Sequence, residues 1–383
     1  MTTLVKQGRI RVKRKTPGEV FECGVDADRT IATFAVRYLQ HLDPSGQPVG
    51  PLPSFAEDAE VMTALYKSMV LTRTFDGRAI SLQRTGQLGT YPSCLGQEAI
   101  GTGVASVMAD DDVLLTTYRE QAAHIWRGVT LEEIFQYWGG DERGSDFSGP
   151  RRDFPVCVTI AAHAVHAVGV ASAMKLRHEP RVAVCVLGDG ATSKGDFYEA
   201  VNLAGVWRLP VVFVINNNQW AISVPRHAQT AAETLAQKAI AGGFEGVQVD
   251  GNDIVAVRQA ATDAIETART GGGPGLIEAL SYRMGDHTTA DDAGRYRPKD
   301  EASNHQSKDP VARLRAFLDD RGWWSKEKEK TLIAKCKARV EEAKEAYLAI
   351  VPEETTAMFD HLYETLPPAL AAQRNIAAGG DDE

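Results

Sequence analysis

Two short polar clusters follow apolar runs and have the composition of a ligand site. Gly188-Asp189-Gly190 comes after Arg181–Leu187, and Asn216-Asn217-Asn218 comes after Val211–Ile215. A right-handed crossover would make the two runs parallel strands, about 4.8 Å apart if they are neighbours. Asp189 and Asn218 then project from the carboxyl edge of the sheet, where open α/β sheets bind ligands. Gly188 and Gly190 permit a sharp turn and close approach of a ligand. The following helix offers free N–H groups to an anion. One carboxylate and one carboxamide are a poor cage for a bare cation. They suit Mg²⁺ held by a diphosphate, because that ion keeps several oxygens from phosphate and water. The Asp189 carboxylate, the Asn218 side chain and the Trp220 backbone carbonyl would be the protein's share of the octahedron. Taken alone, Gly188-Asp189-Gly190 is only a tight turn; the asparagines give it chemical meaning.

The elements that must hold these clusters are readable from periodicity. Arg181–Leu187 and Val211–Ile215 are continuously apolar, as strands buried on both faces are. Between them, Lys194–Arg208 sets Phe197, Val201 and Ala204 on one side of a helix, and Pro210 ends the turn. Leu276–Leu280 reads as a further strand. Leu65, Met69, Thr72, Phe75 and Ala79 trace one face of an earlier helix. From about 90 to 325, strand-like and helical stretches alternate, which predicts a parallel sheet with helices on both faces. The small-residue stretch Ala161–Met174 predicts a helix that another backbone can approach closely. Three parts are expected: an N-terminal arm over 1–55, the α/β domain over 56–325, and a helical extension over 326–383. The arm is rich in Pro and Gly between Pro44 and Pro53. The extension carries a stripe of Leu332, Cys336, Val340, Ala343 and Tyr347, and its last ten residues read as a frayed tail.

Composition narrows the function classes. The chain has 383 residues and a net charge of -9, which argues against nucleic-acid binding. Its longest apolar runs are strand-sized, so no membrane span is expected. The basic start, MTTLVKQGRIRVKRK, lacks the apolar core of a secretory signal. Cys23, Cys94, Cys157, Cys185 and Cys336 form no C-x-x-C pair, so a reducing cytoplasm is expected and a disulfide framework or zinc site is not. Cys185 reads as a small core residue.

The run from Gly188 to Ser223, GDGATSKGDFYEAVNLAGVWRLPVVFVINNNQWAIS, resembles the thiamine diphosphate motif, a GDG followed about thirty residues later by NN. More narrowly, it resembles the alpha subunit of the first component of 2-oxo-acid dehydrogenase complexes. Arg84–Ala99, Thr117–Gly128, Tyr282–Pro298 and Val249-Asp250-Gly251-Asn252-Asp253 match that family in order, over roughly residues 55 to 370. The resemblance implies a thiamine-diphosphate-binding fold. It implies that Asp189, Asn218 and the Trp220 carbonyl bind Mg²⁺, that Gly190 and Ala191 lie against the diphosphate, and that Tyr118 and Arg119 contact it. Val158 and Ile160 would line the cofactor, Ile160 supporting its bent shape. His287 would be the catalytic loop histidine near the reacting centre. Asn216 departs from the Arg, Gln or Glu of relatives, and Trp220 from their Tyr or Phe.

The implied reaction is oxidative decarboxylation of a 2-oxo acid, with the acyl group passed to a lipoyl group of the acyltransferase. The segments at 117–140 and 230–250 look closer to pyruvate-type subunits, so acetyl transfer from pyruvate is expected. A branched-chain (2-oxoisovalerate) or acetoin dehydrogenase subunit is the alternative. The implied partner is a beta subunit in an α₂β₂ heterotetramer, supplying the glutamate that the cofactor's aminopyrimidine needs.

Plainer readings compete at single residues. His287 could be an exposed loop residue, and Arg119 could pair with Glu120 or Asp112. Ile160 is expected in the core. His163 and His166 read as packed or interface residues. A nicotinamide-binding fold requires G-x-G-x-x-G, and Ser193 stands where its last glycine would be. A non-catalytic scaffold predicts no dependence on thiamine diphosphate.

Overall fold

Burial alternates along the two runs that carry the polar clusters, and this fixes the middle of the sheet. In the computed structural model, which describes residue 30 and residues 32–379, Ala183, Cys185 and Leu187 pack into one apolar layer and Val182, Val184 and Val186 into another. Val211, Phe213 and Ile215 oppose Val212 and Val214 in the same way. Cβ-branched residues covered on both sides favour a strand.

The strands of the main sheet are β1 (Arg37–Leu39), β2 (Val113–Leu115), β3 (Ala183–Gly188), β4 (Val211–Asn217), β5 (Gly246–Asp250) and β6 (Gly275–Leu280). They form one sheet in the order β1-β5-β6-β4-β3-β2, parallel throughout. β3 and β4 are therefore neighbours, with Gly188 opposite Asn216. Asp189 and Asn218 each follow a tip of this pair.

The main helices are α1 (Ala59–Arg84), α2 (Glu98–Ala105), α3 (Gln121–Arg127), α4 (Leu131–Trp138), α5 (Ala162–Leu176), α6 (Gly195–Trp207), α7 (Ile254–Arg269), α8 (Pro310–Asp320) and α9 (Lys326–Leu348). α5 and α6 cover one face of the sheet, and α2 and α7 cover the other. This is the parallel sheet with helices on both faces that the alternation predicts. Outside it, α1 buries Leu65, Met69, Thr72, Phe75 and Ala79 completely. Cys336 and Val340 of α9 pack into the same cluster, with Leu332, Ala343 and Tyr347 at its edge.

The chain divides into Met1–Ala35 and Val36–Glu383, and the sheet and site belong to the second unit. Within the stretch read as an arm, Arg37–Leu39 pairs with β5, and Leu42 is fully buried. Asp253, buried at the N-cap of α7, ties this segment down: it accepts from the backbone N–H of His41 at 2.6 Å and Leu42 at 2.7 Å. The rest of the arm reading, residues 1–29 and 31, lies outside the described residues, as do Cys23 and 380–383. The tail reading needs correction, because Pro368–Ala377 is helical; a Pro at its first position stabilises the start of the turn. No helix among the described residues is long and apolar enough to cross a membrane.

Candidate active site

A cavity opens beyond the carboxyl ends of β3 and β4. Asp189 and Asn218 both line it, together with Gly190, Ala191, Trp220, Tyr118, Arg119, Ile160 and His287. Val158 does not line it and is 57% exposed. Ile160 is 41% exposed and stands on the cavity wall, so its placement in the core is corrected. It precedes α5 on an irregular segment and has no sheet face to join.

Asp189 is held by a short 3₁₀ turn, Asp189–Ser193, that separates β3 from α6. The start of α6 is thereby displaced to Gly195, and the N–H groups next to the cavity belong to this turn. Lys238 fixes the turn from below, its Nζ donating to Thr192 O at 2.8 Å and to Thr192 Oγ1 at 2.9 Å. The Asp189 carboxyl is almost fully buried. Burial pushes its pKa up, against the opposing hydrogen bonds from Gln229 Nε2 at 2.7 Å and from the N–H groups of Asp189 and Gly190. A nearby cation would relieve that penalty. The glycines act differently from the sharp turn expected of them. Gly188 has an ordinary φ of -81°, and a Cβ there would enter open space. At Gly190 a Cβ would lie 2.6 Å from Ala221 Cβ. Close packing against the next segment requires that glycine.

Asn218 is oriented by a residue that sequence reasoning missed. Gln97 Oε1 accepts from Asn218 Nδ2 at 3.1 Å and from Asn216 Nδ2 at 2.9 Å. The Asn218 oxygen accepts from the Trp220 N–H at 3.2 Å. Asn217 turns away from the cavity, as strand alternation requires, and donates to Glu278 Oε1 at 2.7 Å. Glu278 is fully buried in β6 and also accepts from the N–H groups of Leu235 and Ala236 and from Gln248. A lone acid inside the apolar run Leu276–Leu280 was the available signal for it.

The opposite side of the cavity is cationic. The Arg119 guanidinium is buried and donates to Ser93 O and, at 2.9 Å, to His287 O. Among the described residues no carboxylate lies within ion-pair distance of it. Asp112, one partner considered for it, pairs instead with Arg269 at 2.7 Å, and Glu120 accepts only the Arg119 backbone N–H. Arg283, which sequence reasoning also missed, is 1% exposed and donates to Ile222 O and the Tyr296 hydroxyl. Its Nε has no partner among the described residues. Its position four residues before His287 was the only hint.

His287 sits between these cations and is half-buried, so it is not the exposed loop residue of the plainer reading. Its Nδ1 lies 3.3 Å from Arg119 Nη2 and 3.5 Å from Arg283 Nη1. Burial first, and then the two guanidinium charges, push its pKa down to about 4. The ring is neutral near pH 7. With donors facing Nδ1, the proton stands on Nε2. Asp291 fixes the loop by accepting the His287 N–H at 2.8 Å. Tyr118 meets the His287 ring edge-on at 5.8 Å. His163 lines the cavity as well, with Nε2 2.9 Å from Val186 O, whereas His166 is exposed.

Hard oxygen donors on one side and, on the other, the Arg119 guanidinium with no carboxylate partner among the described residues suit a metal-bound polyanion, and Arg283 stands close behind His287. The sequence matches the family described as "Dehydrogenase E1 component" over residues 66–349. It is 41% identical over 341 residues to a pyruvate dehydrogenase E1 component subunit alpha of Staphylococcus aureus strain Mu50, covering 88% of this chain and 92% of that relative. It is 39% identical over 337 residues to a 3-methyl-2-oxobutanoate dehydrogenase subunit alpha of Mycobacterium tuberculosis strain H37Rv, with 88% and 92% covered. Placed beside that cavity, matches of this length and identity settle the grouping: the chain belongs to the dehydrogenase E1 component family.

Proposed function

We propose that this chain is the alpha subunit of a thiamine-diphosphate- and Mg²⁺-dependent pyruvate dehydrogenase, which decarboxylates pyruvate and passes the acetyl group to a lipoyl group. One observation carries the reading. Asp189 and Asn218, past the tips of two paired strands, share a cavity with the buried guanidinium of Arg119, which has no carboxylate partner among the described residues. The residues present fit the cofactor: a glycine packed too tightly for a side chain, oxygen donors for a hard cation, and free cations for phosphate.

Asp189, the Asn218 oxygen and the Trp220 carbonyl would hold Mg²⁺. Arg119 and Arg283 would meet the diphosphate, with Tyr118, Gly190 and Ala191 against it. Ile160 would support the cofactor's bent shape, and Val158, exposed and outside the cavity lining, would meet the cofactor only beyond that wall. The bound cofactor supplies the electron sink that decarboxylation requires. Neutral His287 can donate from Nε2 toward the reacting centre without adding a charge there. The wall of this cavity carries two acids, Asp189 and Glu120. The carboxylate required at the aminopyrimidine would come from a beta subunit in an α₂β₂ assembly, and a lipoyl domain of the acyltransferase would receive the acyl group.

A second reading, the branched-chain 2-oxo acid, is favoured by the Mycobacterium tuberculosis relative, which is almost equally similar. Co-expression with the beta subunit and decarboxylation assays on both acids decide between them. Higher kcat/KM for pyruvate is expected; a preference for 3-methyl-2-oxobutanoate would overturn the substrate assignment.

A further inference from the structure

Glu120 lines the same cavity beside Arg119, yet no cation forms an ion pair with it among the described residues. It is 4% exposed, and its one hydrogen bond among the described residues comes from the Arg119 N–H at 3.1 Å. The Arg119 guanidinium is turned away to Ser93 and His287. Glu120 also stands in the wall of a second, small chamber, which it shares with Thr117 and Tyr118. Of the residues lining that largely apolar chamber, Gln121 and His124 have buried side-chain atoms, Oε1 and Nδ1, without a partner among the described residues.

The titratable groups around Glu120 are Tyr118 and Arg119 on its own segment, His124 of α3, Tyr137 of α4, His163 of α5, Cys185 of β3, Asp189 after β3 and His287 of the later loop. None of them hydrogen-bonds to its carboxyl through a side chain. A diphosphate in this cavity would face an ionised Glu120 as a like charge in a low-dielectric wall.

We propose that Glu120 is a positioning residue that enters the diphosphate site as a neutral carboxylic acid, so that binding the cofactor takes up a proton. The proton comes from solvent, joins the carboxylate and leaves again with the cofactor; no other bond changes. The neutral acid can donate its O–H to a phosphate oxygen, which the carboxylate cannot do. The inference rests on the diphosphate reading of the cavity.

Burial, far more than the opposing Arg119 contacts, holds the carboxyl of the free protein at about 7. Binding raises it further, so the favourable linkage is complete below about pH 7 and is lost as pH rises above it. The test is calorimetric titration of thiamine diphosphate with Mg²⁺ into the complex with the beta subunit, in buffers of different ionisation enthalpy, for the wild type and Glu120→Gln. At pH 7.5 the wild type should take up about three-quarters of a proton per site more than Glu120→Gln does. The ratio of wild-type to Glu120→Gln Kd should rise about tenfold between pH 6 and pH 8. Equal proton uptake and parallel Kd profiles would overturn the proposal. Absence of binding to either protein would overturn the cavity reading beneath it. Should Glu120→Gln not fold, infrared difference spectra of the wild type decide: a protonated-carboxyl band must grow on adding cofactor, and an unchanged band refutes the idea.

Discussion

Arg119 and His287 stand 168 positions apart in sequence, and the Arg119 guanidinium donates to the His287 carbonyl at 2.9 Å while lying 3.3 Å from its Nδ1. The same guanidinium donates to Ser93 O. One side chain therefore ties together the loop after α1, the segment before α3 and the histidine loop. Asp76 anchors the first of these, accepting from Ser93 Oγ at 2.6 Å and the Cys94 N–H at 2.8 Å.

Arg119→Lys keeps the charge and loses the fork, since an ammonium cannot reach both carbonyls and a phosphate in fixed geometry. Cofactor Kd should rise at least tenfold, which titration calorimetry measures. An unchanged Kd would show that the guanidinium only braces the loops.

His287 has its pKa lowered to about 4 by burial and by the guanidinium charges of Arg119 and Arg283. A folded-state value below the unfolded one contributes stability that is complete above the unfolded value of about 6.5 and is lost as pH falls toward 4. The melting temperature of His287→Asn should therefore fall less than that of the wild type between pH 7 and pH 4.5. Identical slopes would contradict a buried neutral ring.

Gly190→Ala should lower cofactor affinity at least tenfold, because the new Cβ meets Ala221 Cβ at 2.6 Å and forces the turn to move. Pairing it with Ala221→Gly removes the opposing atom and should restore most of the loss. Failure of the pair to rescue would place the effect in the backbone alone.

Glu278→Ala removes the acceptor of two backbone N–H groups and of two side-chain amides. Buried donors left without partners make this cost about 3 kcal/mol or more, read from chemical unfolding. A loss under about 1 kcal/mol would mean that water replaces the carboxylate.

What can be read from sequence is what local pattern controls. β3 and β4 are legible because both faces are covered and the runs are continuously apolar. The α1 face and the α9 stripe follow from helical spacing. The crossover rule makes β3 and β4 parallel, whereas their being neighbours, which brings Asp189 and Asn218 to one edge, is seen in the sheet itself. The residues that go unread act across the fold. Gln97, Glu278 and Arg283 acquire their partners only when distant segments meet, and no spacing signals that. Ile160 is large and apolar, which points to the core, although a cavity wall uses the same property. The 3₁₀ turn after Asp189 escapes notice because Ala191 and Thr192 give no signal that separates it from the start of α6.

The most direct test of the central claim is an anomalous-difference map from crystals of the complex with the beta subunit, grown with thiamine diphosphate and Mn²⁺ in place of Mg²⁺. A single strong peak within about 2.3 Å of both the Asp189 carboxylate and the Asn218 side-chain oxygen is predicted. A peak elsewhere, or a bound cofactor whose metal touches neither residue, would contradict the account.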